Sequence, residues 1–237
     1  MNLNELYKKA VNIQSLNDIE ILLEKYLKHF NIFSFAFTYY SGHVKSGRKL
    51  RYDFVSSPLK SWHVYYLEQA YADVDRTLEK SHLTTLPLYW DVEEQLKQAK
   101  NTREKRIRNE SIEFGIHKGL SIPVHGPNHD FVSLTLHQRR NENCLHDYEL
   151  YQFEWLNAAQ IVYHQIKKIL DQQFPQIISY KLTSREEQCL ILTAKSWRVE
   201  QIAQELKISP RTVNFHIQNA NKKLGTNNKY LAIYKYY

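Results

Sequence analysis

The sequence predicts an α+β fold: an N-terminal α-β-α sandwich with a mainly antiparallel sheet, plus a small C-terminal all-α helix-turn-helix domain. Three observations carry this. Up to about residue 170, apolar residues at helical spacing alternate with short runs of period two, the pattern of helices laid over a sheet. The strand-like runs come in pairs joined by turn sequences, which favours hairpins and antiparallel pairing. From Leu182 onward only helical patterns remain, punctuated by capping residues, a proline and a glycine. With 43% apolar residues in 237, the chain can bury two modest cores.

The opening MNLNELYKKAVNIQ reads as the start of an amphipathic helix and lacks the apolar core and cleavage site of a signal peptide. A helix is predicted from about Asn17 to Phe30, where Ile19, Leu22, Leu23, Tyr26, Leu27 and Phe30 share a face. Two strands follow, Ile32–Tyr40 with alternating Phe33, Phe35, Phe37 and Tyr39, and Leu50–Ser56, joined by the turn-like SGHVKSGRK. Ser57-Pro58 has the form of an N-cap and first-turn proline, opening a helix to about Ala72. A charged helix over Thr102–Phe114 stops at Gly115, strands Gly119–Val124 and Asp130–His137 flank the turn HGPNH, and a long helix from about Asp147 to Leu170 closes the region. The stretch 172–181 holds Pro175 and loses helical periodicity. The domains are therefore expected at 1–171 and 182–237, with 172–181 as linker.

The C-terminal unit opens on Leu182-Thr183-Ser184-Arg185-Glu186, which has the capping-box form. The helix it starts is expected to end near Ser196. A second helix, Val199 to Leu206, is broken at Ile208-Ser209-Pro210, where Ser209 can cap a third helix that runs to Leu224 and stops at Gly225. Val213, Ile217, Ala220 and Leu224 lie on one face of that third helix. Arg211, Phe215, Gln218, Asn219 and Lys222 point the other way, with Thr212 and Lys223 beside them. Such a face suits double-stranded DNA: Arg can pair with guanine, Asn or Gln with adenine, and Phe215 can touch a thymine methyl. Charge agrees. Residues 176–237 carry 10 Lys and Arg against 4 Asp and Glu, whereas residues 1–175 carry 22 against 21. A basic module on a nearly neutral body implies a polyanion partner.

LTSREEQCLILTAKSW…QIAQELKISPRTVNFHIQNANKKLG resembles the helix-turn-helix of the LuxR family of bacterial regulators, through its LTxRE opening, IAxxLxIS, RTVxxH and the KLG end. It departs at Ser196-Trp197, where the family usually has glycine and lysine. The resemblance implies a homodimer on a two-fold operator, paired through a last helix over Lys229–Tyr236 with Leu231, Ile233 and Tyr234 as apolar contacts.

The N-terminal region carries a second resemblance. Trp62, Tyr66, Asp75 and Trp90, spaced W-x3-Y-x8-D-x14-W, and the later GLSIPVHGPNHDFVSLTL resemble the family's autoinducer-binding domain, which recognises N-acyl homoserine lactones. By that resemblance the indole N–H of Trp62 donates to a lactone carbonyl, the Tyr66 hydroxyl to the acyl carbonyl, and ionised Asp75 accepts the amide N–H. Trp90 packs on the ring, and Thr135 faces the ligand from the last strand. Where the family usually has proline after the aspartate, this chain has Arg76, a cation close enough to bind Asp75 itself.

Other chemistry is sparse. His125 and His129 straddle a Gly-Pro turn and lack helical metal spacing, and Asp73 beside Asp75 has no visible partner. There is no Walker-type loop, G-x-S-x-G, zinc cluster or receiver-type acidic set, so neither an enzyme nor a cofactor or metal is expected. No run approaches the roughly 20 apolar residues of a membrane span. Cys144 and Cys189 are isolated and read as free thiols, so the protein is expected in the cytoplasm. The main reading is a signal-responsive regulator sensing an acyl homoserine lactone. A solo regulator of the same build that senses another ligand or none stays open, as does a lactone-processing enzyme domain.

Overall fold

Alternation of side chains decides the N-terminal architecture. Strands β1 (Phe35–Ser41), β2 (Lys49–Val55), β3 (Leu88–Asp91), β4 (Lys118–His125) and β5 (Phe131–Gln138) form one sheet in the order β2-β1-β5-β4-β3, every pair antiparallel. On one face stand Phe35, Phe37 and Tyr39 of β1, Val132, Leu134 and Leu136 of β5, and Leu120, Ile122 and Val124 of β4, all buried. Helices α1 (Leu3–Ala10), α2 (Leu16–Lys28) and α7 (Leu145–Gln173) close over them, so that Leu23, Tyr26, Leu27, Trp155, Val162 and Ile166 complete one apolar core. Each large side chain withdrawn from water there contributes about 1.5–3 kcal/mol. Buried Asp130 ties this layer together. It accepts from the Tyr39 and Tyr163 hydroxyls, each at 2.8 Å, and pairs with Lys167 at 3.2 Å.

The computed structural model describes residues 1–32, 34–42, 49–138, 145–173 and 182–236. Phe33, the middle of the SGHVKSGRK turn, Cys144 and residues 174–181 of the expected linker lie outside the described residues, while Gln172 and Gln173 belong to α7. The chain divides into two compact units, Met1–Phe174 and Pro175–Tyr237.

The opposite face of the sheet is covered by α3 (Lys60–Glu68), α4 (Arg76–His82), α5 (Val92–Lys97) and α6 (Thr102–Glu113). Here the sequence expectation needs correcting. The helix expected over 57–72 is a 3-10 turn at Ser57–Leu59 followed by α3, which ends at Glu68, two residues before Ala70, whose φ of 51° is left-handed. Ser56, not Ser57, holds the N-cap position, and its hydroxyl is drawn to β1, where it accepts from the Phe35 N–H at 2.9 Å. A second 3-10 turn at Tyr71–Asp73 then delivers Asp75 as N-cap of α4. Helices α4 and α5 and strand β3 are too short to impose a period on the sequence. Their caps mark them instead: the Thr77 N–H donates to Asp75 Oδ1 at 2.9 Å, and the Glu93 and Glu94 N–H groups donate to Asp91 Oδ1.

In the second unit α8 (Ser184–Ala194), α9 (Val199–Leu206), α10 (Pro210–Lys223) and α11 (Lys229–Tyr236) follow the sequence closely. The Thr183–Glu186 capping box is closed in both directions, and Ser209 caps α10 through the Thr212 N–H at 3.1 Å. Ser196, where the related helix pairs usually have glycine, takes a left-handed φ of 64°, the conformation that glycine adopts without steric cost. Cys189, Ile202, Val213 and Ile217 form one small core, and Leu190, Leu224 and Ala232 another. The Cys189 thiol is free and buried. Among the described residues no helix is long and apolar enough to cross a membrane.

Candidate functional site

The sheet face beneath α3–α6 is not apolar. Thr38 of β1, Ser133, Thr135 and His137 of β5, and Ser121 of β4 line a cavity of about 880 Å³, mouth included. A strand face of hydroxyls and imidazole opposite a fully apolar face is a pattern that a packed core alone does not need. The helices supply the roof: Leu59, Trp62, Tyr66, Leu78, Val92, Ile107 and Ile116 make it mostly apolar. Such a space, with a few converging polar groups, is the usual form of a small-molecule site.

All five residues singled out in the N-terminal sequence border this cavity: Trp62, Tyr66, Asp75, Trp90 and Thr135. Their contacts differ from expectation in part. The cation on Asp75 is Arg108 of α6, whose Nη2 lies 2.7 Å from Oδ1. Arg76 turns instead to Glu104, at 3.1 Å. Sitting at the first position of α4, Arg76 occupies a place that proline also tolerates, because the N–H there needs no helical partner. The Tyr66 hydroxyl donates to Asp75 Oδ2 at 3.1 Å, so its one proton is engaged with the carboxylate. Burial works against the Asp75 charge, but Arg108, the Thr77 N–H and the Tyr66 hydroxyl outweigh it and hold its pKa below the ordinary value. Burial pushes the Tyr66 phenol well up, with Asp75 adding to the effect.

Trp90 donates its indole N–H to Ser121 Oγ at 3.0 Å across the β3–β4 pair. The indole lies directly on Gly119, where a Cβ would stand 2.2 Å from Trp90 Cζ2 and 2.5 Å from the Leu136 carbonyl oxygen. Trp62 packs among Tyr66, Tyr71 and Phe114, with centroids 5.8, 6.2 and 5.3 Å away. That wall is pinned from outside by Glu110, which accepts from Arg106 at 2.7 Å and from the Tyr65 and Tyr71 hydroxyls. Thr135 Oγ1 lies 3.1 Å from Ser133 Oγ.

The sequence reading missed Arg108, His137, Ser121 and Thr38. His137 carried a signal, since Ser133, Thr135 and His137 occupy alternate positions of an otherwise apolar strand. Burial holds the His137 imidazole down to about 4, with Asp75 pulling the other way, so it is neutral at pH 7. Arg108 carried none, being one charge among several in TREKRIRNESIE.

On α10 the expected division of faces is present. Val213, Ile217, Ala220 and Leu224 are buried, Arg211, Phe215, Gln218 and Lys222 are exposed, and Thr212 and Asn219 are half-buried. Lys223 differs, because its ammonium lies 2.7 Å from the carboxylate of buried Glu186 and so clamps α10 to the start of α8. Of the apolar residues on α11, Leu231 is exposed, Ile233 packs against its own unit's core, and the Tyr234 side chain lies outside what is described.

The autoinducer binding domain family matches residues 16–165, and the luxR family of bacterial regulatory proteins matches residues 180–235. The transcriptional activator protein AnoR of Acinetobacter nosocomialis is 31% identical over 178 residues, 73% of this chain and 71% of that protein. The transcriptional activator protein LuxR of Aliivibrio fischeri is 27% identical over 244 residues, covering 99% of this chain and 93% of that one. Among solved structures, Escherichia coli SdiA shares the fold with a TM-score of 0.78 at 15% identity, covering 98% of this chain and 94% of SdiA. SdiA in complex with octanoyl-rac-glycerol matches with a TM-score of 0.77 at 18% identity, covering 98% and 92%. Both halves of the sequence and both units of the structure thus agree, and the chain belongs to the LuxR family of bacterial regulators, as a ligand-responsive, DNA-binding transcription regulator with an autoinducer-binding domain ahead of its helix-turn-helix.

Proposed function

We propose that the N-terminal cavity takes an N-acyl homoserine lactone and that the protein acts in the cytoplasm as a homodimer on a two-fold operator. The observation that carries the ligand reading is that Trp62, Tyr66, Asp75 and Trp90 all line one largely apolar cavity. A lactone amide offers one N–H, two carbonyl oxygens and an apolar tail, and the cavity offers the complement. Asp75 Oδ1 already receives two donors, Arg108 and the Thr77 N–H, whereas among the described residues Oδ2 receives only Tyr66. The ligand N–H therefore goes to Oδ2. By taking that place it releases the Tyr66 proton toward the acyl carbonyl, so the count of hydrogen bonds is kept. Trp62 donates to the lactone carbonyl, Trp90 packs its face on the ring, and Thr135 with Ser133 meets the start of the chain. On DNA, Arg211, Thr212, Phe215, Gln218, Asn219 and Lys222 read bases and phosphates. Lys223 acts through its clamp on Glu186. Pairing through α11 rests on the exposed Leu231.

A second reading is favoured by the SdiA complex with octanoyl-rac-glycerol: an uncharged acyl ester without an amide can fill the same outline. Titration of the purified full chain with acyl homoserine lactones of graded length, and with octanoylglycerol in parallel, separates the two. Lactone binding that weakens on the order of ten- to a hundred-fold in Asp75→Asn supports the amide contact. Binding of the ester alone assigns the cavity to the second class. Binding of neither, with operator binding intact, leaves a regulator that does not use this ligand chemistry.

A further inference from the structure

We propose that His137 is a specificity-determining residue of the cavity, a hydrogen-bond donor that recognises an oxygen at the ring end of the ligand. The inference rests on the acyl-amide reading above and deepens it. Alternation along β5 sets Ser133, Thr135 and His137 on the cavity face, and all three line the cavity. His137 is half-buried, yet burial keeps its imidazole neutral, so the surface it leaves open belongs to the cavity and not to bulk water. Its Nδ1 is enclosed by protein and has no hydrogen-bond partner. Nε2 is not enclosed in that way, and among the described residues it makes no hydrogen bond either. The neighbours on the same face are already engaged. Thr38 donates to the Ser133 carbonyl at 3.4 Å, Ser133 and Thr135 share a bond of 3.1 Å, and Ser121 accepts from Trp90 at 3.0 Å.

The ligand decides which role is left to the imidazole. A neutral imidazole has one N–H and one bare nitrogen. In the acyl-amide reading the ligand has one N–H, which Asp75 accepts, and its other polar atoms are oxygens that only accept. His137 therefore donates, with its proton on Nε2. Trp90 fixes the place. The two rings meet edge to face, with centroids 5.7 Å apart and planes at 71°. Gly119 of β4 pairs with Trp90 on one side and with His137 on the other. The indole that packs on the ligand ring thus stands beside the imidazole, whereas Ser133 and Thr135, at the start of the acyl chain, lie further along β5. A ring without oxygen leaves the imidazole unpaired, and an unpaired polar group rejects an analogue more strongly than an apolar wall rejects a misfit.

The test uses the full-length protein and two ligands with the same acyl chain: an N-acyl homoserine lactone, and the N-cyclopentyl amide of the same fatty acid, which keeps the amide and the ring size but has no ring oxygens. Both are titrated against wild type, against His137→Phe, which keeps a flat ring without nitrogen, and against His137→Gln, whose amide nitrogen can stand in for Nε2. Wild type is expected to favour the lactone. In His137→Phe that preference falls about three- to ten-fold, with little change for the cyclopentyl amide, and in His137→Gln it is largely kept. An imidazole that only fills space gives another pattern, in which both ligands weaken together. That result, or a preference unchanged in His137→Phe, overturns the proposal. Should His137→Phe fail to fold, nitrogen NMR of histidine-labelled wild type decides. The His137 Nε2 resonance is expected to move with the lactone and to stay in place with the cyclopentyl amide, and an equal response to both overturns the proposal. If wild type binds neither ligand, the acyl-amide reading itself is overturned, so the two failures are distinct.

Discussion

At the scale of single residues, the cavity is organised by one buried ion pair. Asp75 and Arg108 have side-chain exposures of 15% and 9%, and breaking a buried pair by removing one partner typically costs about 3–5 kcal/mol. Asp75→Asn is therefore expected to lower the unfolding free energy by an amount of that order, besides weakening ligand binding; urea denaturation at neutral pH measures it, and an unchanged midpoint would show the pair to be idle. The folded pKa of Asp75 lies below the unfolded value. Its stabilisation is thus complete above the unfolded pKa and is lost as pH falls through the folded one. His137 gives the second pH-dependent contribution. Held neutral to about 4 in the fold but titrating near 6.5 when unfolded, it makes the unfolded chain bind the extra proton in between. Stability should therefore fall by on the order of 3 kcal/mol as pH drops from 6.5 to about 4. His137→Gln should flatten that part of the curve, and a variant with the same slope as wild type would assign the acid sensitivity elsewhere.

At the scale of elements, close approach sets the shape of the cavity. Strand β3 lies beside β4 with Trp90 opposite Gly119, and the indole occupies the space of a missing Cβ. Gly119→Ala meets the Trp90 ring and the Leu136 backbone at once, so neither neighbour can yield alone. The expected cost is about 1–3 kcal/mol of overpacking, accompanied by a displaced indole and weaker ligand binding. Thermal unfolding and the tryptophan fluorescence of the variant report both effects. A glycine at this point of GLSIPVHG is visible in the sequence, but the reason for it is not, because the tryptophan above it comes from a four-residue strand with no periodicity of its own.

At the scale of the whole molecule, the basic charge lies in the unit that presents α10, while the first unit is nearly neutral. Operator binding by the full chain is expected to weaken steeply with salt. Lys222→Ala should lower the slope of log affinity against log salt by about 1, as loss of one phosphate contact does. Lys223→Ala should chiefly lower the stability of the C-terminal unit, because it leaves the buried Glu186 carboxylate without its cation. Salt titrations and melting curves on both variants tell the roles apart. Equal effects in both measurements would mean that the clamp and the contact are not separate.

What the sequence determined by itself was local, and clearest where an element is long or firmly capped. The capping box at Thr183, the Ser209–Pro210 helix start, the Gly115 and Gly225 stops and the alternation of β1 and β5 each depend on neighbours a few residues away, and each stands where the pattern puts it. The spacing of Trp62, Tyr66, Asp75 and Trp90 likewise pointed to one site, and the fold brings all four to one cavity. Tertiary structure alone decided the pairings. Whether Asp75 meets its neighbour Arg76 or the distant Arg108, whether Tyr66 spends its proton on a carboxylate, and whether Lys223 is free or clamped all depend on which helices the sheet holds side by side. A charged residue in a solvated-looking helix carries no mark of the partner it will meet. Its energy is set by burial and by charges far along the chain, and those exist only once the chain has folded.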